Sequence, residues 1–252
     1  MFYAYNDINL YYEKYGNSKK SIIILPGWGD TRNTFSYMIN FLKDYFTIYI
    51  IDYPGFGNSS FPNYNLTIYD YADMVHNFIN DLDISNPILI GHSFGGRIIT
   101  VLTGYYKYNY KNIIYIDSAG IKRKNIRFKT IIYKLLKKIK FILPRKYKDR
   151  WLKYIFKKFA SSDYSKLNDN MKNTFKNIVN LDLTPYFKNI NAKVLIIWGN
   201  NDIDTPIGDA KIMLKNIKNS ELVVLDKANH FSYLNYPILV NNIIYEQLKD
   251  EI

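Results

Sequence analysis

The stretch Pro87-Ile88-Leu89-Ile90-Gly91-His92-Ser93-Phe94-Gly95-Gly96 sets one serine between glycines two residues to either side, behind one apolar run and ahead of another. A serine hydroxyl is a weak nucleophile at neutral pH and needs a neighbouring base to take its proton. It must also stand clear of the backbone. A tight strand-to-helix turn lifts it out through a strained conformation that leaves room only for small neighbours two positions away. At the start of a helix the dipole favours developing negative charge, and the amide of Phe94 points where an oxyanion would form. The chemistry such a serine could do is attack on a carbonyl carbon.

Three histidines could serve as its base. His92 is locked inside the glycine turn and reads as a packed supporting residue. His76 lies within an apolar-striped helix and reads as a surface or partly buried side chain. His230, in Leu225-Asp226-Lys227-Ala228-Asn229-His230-Phe231, sits in a loop behind the last apolar run. Two acids in the polar turn after Val194–Trp198, Asp202 and Asp204, could orient a base. Asp204 reads rather as a helix N-cap or turn residue ahead of Pro206.

These residues need a scaffold, and the apolar pattern describes one. Ile8–Tyr15 alternates and follows the turn-prone Asn6-Asp7, which predicts an opening hairpin. Ser21–Leu25, Phe46–Ile51, Pro87–Ile90, Ile113–Ile116, Val194–Trp198 and Leu222–Leu225 are compact Ile, Leu and Val runs, as in strands buried on both faces. Between them, helical spacing marks Asn33–Lys43, Leu66–Leu82, Phe94–Tyr106, Asp209–Ile217 and Pro237–Leu248. Such alternation predicts an α/β fold, a doubly wound, mostly parallel sheet with right-handed crossovers. From about Ala119 to Pro185 the rhythm breaks. No strand-like run occurs there, but Phe128–Leu143, ended by Pro144, and Trp151–Phe159 read as amphipathic helices. The chain therefore divides into a core of residues 1–118 and 186–252 and a helical cap inserted at 119–185.

With the glycine turn placed between a buried strand and a helix, the sequence resembles the α/β-hydrolase fold family over nearly its whole length. The family's chain order is serine, acid, histidine. Its acid follows a strand, a Gly and two further residues, with a Pro a few positions on, and Gly199-Asn200-Asn201-Asp202 with Pro206 fits that pattern. The resemblance thus implies Asp202 as the acid and His230, behind the last strand, as the base. Asn229 stands where the family usually has glycine, and Asn also tolerates unusual backbone angles. The second oxyanion donor is implied in Leu25-Pro26-Gly27-Trp28-Gly29, where Pro26 replaces the family's histidine and Trp28 would donate its amide beside that of Phe94. Asp52-Tyr53-Pro54-Gly55-Phe56-Gly57-Asn58-Ser59 is a family-like turn bracing the site.

Composition narrows the remaining classes. With 48% hydrophobic residues the 252-residue chain is not disordered. It has no cysteine, which removes disulfides, thiolate metal sites and a thiol nucleophile, and fits a cytoplasmic location. Met1–Gly16 lacks the pattern of a secretory signal, and no apolar run is long enough to span a bilayer. Histidines unpaired at ligand spacing and the absence of G-x-G-x-x-G predict neither metal nor nucleotide cofactor. The net charge is +12, and Lys122–Lys158 holds sixteen Lys or Arg against one acid, Asp149. A solvated helix face in a Lys-rich protein accounts for that, and nucleic acid is not expected; contact with an anionic membrane surface is the alternative. The function expected is hydrolysis of carboxylic esters or thioesters of small to medium acyl substrates. The alternatives are a carbon–carbon bond hydrolase of the meta-cleavage-product type and, from another class, a non-catalytic ligand receptor. A dehalogenase would need Asp in place of Ser93.

Overall fold

The computed structural model of the protein describes residues 1–122 and 168–251. Eight strands form one sheet: β1 (Phe2–Tyr5), β2 (Ile8–Tyr15), β3 (Ser21–Leu25), β4 (Thr47–Ile51), β5 (Ile88–His92), β6 (Asn112–Ile116), β7 (Lys193–Gly199) and β8 (Ser220–Leu225). Their spatial order is β1-β2-β4-β3-β5-β6-β7-β8. β1 and β2 make the opening hairpin, turned at Asn6 with φ of 51°. β2 runs antiparallel to β4, and every later pair is parallel. The expected doubly wound, mostly parallel α/β sheet is what the chain forms.

Seven α-helices follow in chain order: α1 (Ser36–Leu42), α2 (Ile68–Asp81), α3 (Phe94–Thr100), α4 (Asp169–Val179), α5 (Ile207–Asn216), α6 (Ser232–Asn235) and α7 (Pro237–Leu248) among the described residues. The sheet's central strands feed two apolar layers because successive side chains point to opposite faces. Ile23, Leu25 and Leu89 pack with Val75 and Phe78 of α2 and Ile98 of α3. Ile22, Ile24 and Ile90 pack on the other side with Met38 of α1 and Ile244 of α7. Thr67 and Asp70 close a capping box at the start of α2, which fixes where that helix begins.

Three elements differ from their sequence patterns. β8 is the last strand of the sheet, so Val224 is 46% exposed and the strand is not buried on both faces. The run Phe94–Tyr106 is α-helical only to Thr100 and continues as a π turn over Val101–Tyr105. There the hydroxyls of Thr100 and Thr103 bond back to the carbonyls of Gly96 and Ile99, competing with the helical ladder, and the Tyr106 amide reaches Val101 instead. Asn33–Lys43 opens with a 3-10 turn at Arg32–Phe35 before α1.

Between residues 119 and 185 the described residues hold α4, which the pattern does not single out. Asn168 caps it, and the Leu66 amide donates to the Thr174 hydroxyl at 2.8 Å, so the helix is pinned to the core. Phe128–Leu143, Trp151–Phe159 and the basic stretch after Lys122 lie outside the described residues. Among the described residues no helix is long and apolar enough to cross a membrane.

Candidate active site

β3 lies between β4 and β5, so the chain leaves the middle of the sheet in opposite directions and opens a crevice at the strands' carboxyl ends. Ser93 stands there, between β5 and α3, with φ 47° and ψ −105°. Few non-glycine residues tolerate that region. Its amide donates to the Ile116 carbonyl at 3.1 Å, and its carbonyl accepts from Gly96 and Ala119 at 3.1 and 2.9 Å. The glycine spacing has a steric cause. A Cβ on Gly95 would lie 1.9 Å from the Leu25 carbonyl oxygen, and one on Gly96 1.9 Å from Ser118 Oγ.

His230, in the loop between β8 and α6, places Nε2 2.9 Å from Ser93 Oγ and Nδ1 2.8 Å from Asp202 Oδ2. Asp202 has all its acceptor positions engaged. Oδ1 takes the amides of Asp204 and Thr205 at 2.7 and 2.8 Å, and Oδ2 takes the Thr205 hydroxyl besides His230. Burial pushes the Asp202 carboxyl up, but the His230 bond and charge and the Thr205 donors outweigh it, leaving Asp202 below its ordinary value. Burial likewise pushes His230 down, and the hydrogen bond and charge of Asp202, with Asp117 and Asp204 beyond, carry it above the ordinary 6.5. Asp204 itself is exposed in the turn, and Pro206 rather than Asp204 caps α5. Asp202, Asp204 and His230 could each bring a ligand atom within 4.8 Å of the others. Both His230 nitrogens lie at hydrogen-bond distance from Ser93 and Asp202, which links two of these three residues to the serine.

The two residues whose amides are expected to hold an oxyanion, Trp28 and Phe94, line the same cavity as Ser93. Phe94 is the first residue of α3, where an N–H has no acceptor within the helix. Trp28 sits in the loop after β3, and its ring packs edge-on to Phe94 at 5.2 Å and to Phe56 at 5.0 Å. Among the described residues Trp28, Ser93, Phe94 and His230 share a cavity of about 240 Å³ with Ile121, Phe175 and Ile178. Its wall is mainly apolar, with Arg97, Asp204, Thr205 and Asp209 as the polar members besides Ser93 and His230.

Two residues of the site go unmarked by the motifs. Asp117, fully buried with φ 44°, takes the amides of Gly199 and Ser232 at 2.8 and 3.0 Å, joining the end of β7, ahead of Asp202, to the start of α6, behind His230. Burial keeps its carboxyl above its ordinary value. Its signal is a charge directly behind an unbroken apolar run. Arg97, one turn beyond Ser93, donates through Nη1 to the carbonyls of Ile178 and Leu181, both at 3.0 Å, tying the end of α4 to α3. A lone cation inside Phe94–Thr100 is its signal. His76, by contrast, is stacked on Tyr108 with ring centroids 3.8 Å apart.

The model of the alpha/beta hydrolase fold family matches residues 20–237. The chain belongs to the α/β-hydrolase fold family. Within that family it is 26% identical to a pimeloyl-(acyl-carrier protein) methyl ester esterase of Wigglesworthia glossinidia brevipalpis, over 91% of this chain and 93% of that one. It is 23% identical to a 2-hydroxy-6-oxononadienedioate/2-hydroxy-6-oxononatrienedioate hydrolase of Pseudomonas putida, over 96% of this chain and 92% of the relative. The enol-lactonase of Burkholderia xenovorans LB400 shares the fold at a TM-score of 0.77, with 19% identity over 99% of this chain and all of that one. Family and relatives together make this α/β-hydrolase an enzyme of the hydrolase class.

Proposed function

We propose that the protein hydrolyses carboxylic esters of small to medium acyl groups, thioesters included, with Ser93 as nucleophile, His230 as general base and Asp202 as its orienting acid. The observation that carries this is the unbroken run of hydrogen bonds from Asp202 through His230 to Ser93, opening on an apolar cavity. His230 takes the Ser93 proton on Nε2 as Oγ bonds to the carbonyl carbon. The amides of Trp28 and Phe94 hold the resulting oxyanion, each worth about a hundred- to a thousandfold in turnover. The carbon–leaving-group bond breaks as His230 returns its proton to the departing oxygen or sulfur. Water, deprotonated by His230, then cleaves the acyl-enzyme and restores Ser93.

The esterase named for the Wigglesworthia relative supports an ester substrate. The Pseudomonas relative's name keeps the carbon–carbon alternative in view, and turnover of a dienone acid without turnover of nitrophenyl esters would favour it. Residues 119–185 are proposed to form the cap over the cavity, with α4 as one wall. The deciding test is labelling with a fluorophosphonate, wild type beside Ser93→Ala. Labelling and ester turnover are expected in the first and not in the second; equal esterase activity in pure Ser93→Ala would refute the proposal.

A further inference from the structure

His92, the last residue of β5, touches both loops that must face Ser93. Its side chain is 1% exposed, with His230, Phe231 and Tyr233 rings packed about it at 4.9, 5.2 and 5.0 Å. On one edge Nε2 lies 2.8 Å from the carbonyl oxygen of His230. A carbonyl can only accept, so Nε2 carries the proton and donates it there. On the other edge Nδ1 faces Asp30 Oδ2 at 3.4 Å, without a hydrogen bond. Asp30 closes the turn that presents Trp28, its amide donating to the Gly27 carbonyl at 3.1 Å. The turn rests on the imidazole so closely that a Cβ on Gly27 would lie 2.8 Å from Nδ1.

Resting on the serine-hydrolase reading, we infer that His92 is a positioning residue for that reaction, setting the height of the His230 main chain and seating the Trp28 turn against the nucleophile beside it. A side chain adjacent to Ser93 thereby references both the base and the oxyanion donor to the strand that carries the nucleophile. Displacements of the order of 1 Å in such groups cost about a hundredfold in rate. The donor edge is the part that matters. Glutamine can bring its amide nitrogen to the place of Nε2, three bonds from Cβ. Asparagine reaches only the place of Nδ1, two bonds from Cβ.

The test is a comparison of His92→Gln, His92→Asn and His92→Leu with wild type by fluorophosphonate labelling rate and by kcat and KM on a nitrophenyl ester. Urea midpoints should be measured alongside. His92→Gln is expected within about fivefold of wild type in kcat, and His92→Asn and His92→Leu about a hundredfold below it. KM should be unchanged throughout. A purely packing role would instead order the variants by their urea midpoints and leave Gln and Asn alike. Equal kcat for Gln and Asn, or wild-type kcat in His92→Leu, would overturn the inference. Should folded wild type fail to label, the hydrolase proposal falls and this inference with it.

Discussion

Replacing Asp202 by Asn removes one charge and exchanges one acceptor for a donor at a position where every acceptor is used. Oδ1 holds two backbone amides in the turn, at 2.7 and 2.8 Å, so the Asn oxygen is fixed on that side. Its NH2 must then face His230 Nδ1, 2.8 Å from the position of Oδ2. The imidazole can meet a donor only by presenting a lone pair on Nδ1, which moves its proton to Nε2. That nitrogen, 2.9 Å from Ser93 Oγ, is the one that must accept the serine proton. The wrong tautomer costs about four orders of magnitude in kcat, or roughly 5.4 kcal/mol at 1.36 kcal/mol per decade. KM should barely change, since Asp202 lies behind His230. Pre-steady-state ester hydrolysis with active-site titration measures this directly, with Asp204→Asn as the control, expected within a fewfold of wild type. A loss under tenfold in Asp202→Asn, or a larger loss in Asp204→Asn, would refute the assignment and the tautomer argument together.

Three further outcomes follow. Since His230 must be neutral to act as base and its value is raised above 6.5, the acid limb of kcat/KM is expected to have its midpoint above pH 6.5 and to move down in Asp202→Asn. The same upward shift lends the fold stability that is fully present below pH 6.5 and is lost as pH rises through the folded value, which urea midpoints across pH would register. Gly95→Ala, whose methyl would meet the Leu25 carbonyl oxygen at 1.9 Å, should destabilise the fold by about 1–3 kcal/mol and lower the thermal midpoint.

Much of this arrangement can be read from the chain because a local rule and a tertiary need coincide. Ser93 is legible because its strained turn demands glycines at fixed spacing, and the parallel strands because burial on both faces leaves almost only Ile, Leu and Val. Asp202 and His230 are separated from Ser93 by more than a hundred residues, and no local pattern brings three distant loops together; only a family's chain order names them. Asp117 and Arg97 stand out only as charges beside or within apolar runs, and what they bond is not legible, since their partners are backbone amides and carbonyls that any residue supplies. α4 escapes because its buried side, Met171, Thr174 and Ile178, is a narrow stripe in a Lys- and Asn-rich stretch. The edge position of β8 follows from topology, which a run of six residues does not encode.

Arg97 gives the cavity wall a kind of electrical independence. Burial lowers its guanidinium, with Asp182 and Asp209 opposing, to about 10, so it stays cationic throughout the interval in which His230 changes charge. The two carbonyls it holds stand at and just beyond the C-terminal end of α4, where the peptide dipoles supply negative charge beside the Asp182 carboxylate. On the proposed mechanism, acidifying the solution silences the base while Arg97 keeps the charge that holds these two carbonyls. On that reading chemistry and wall answer to different protons, since His230 changes charge where Arg97 does not.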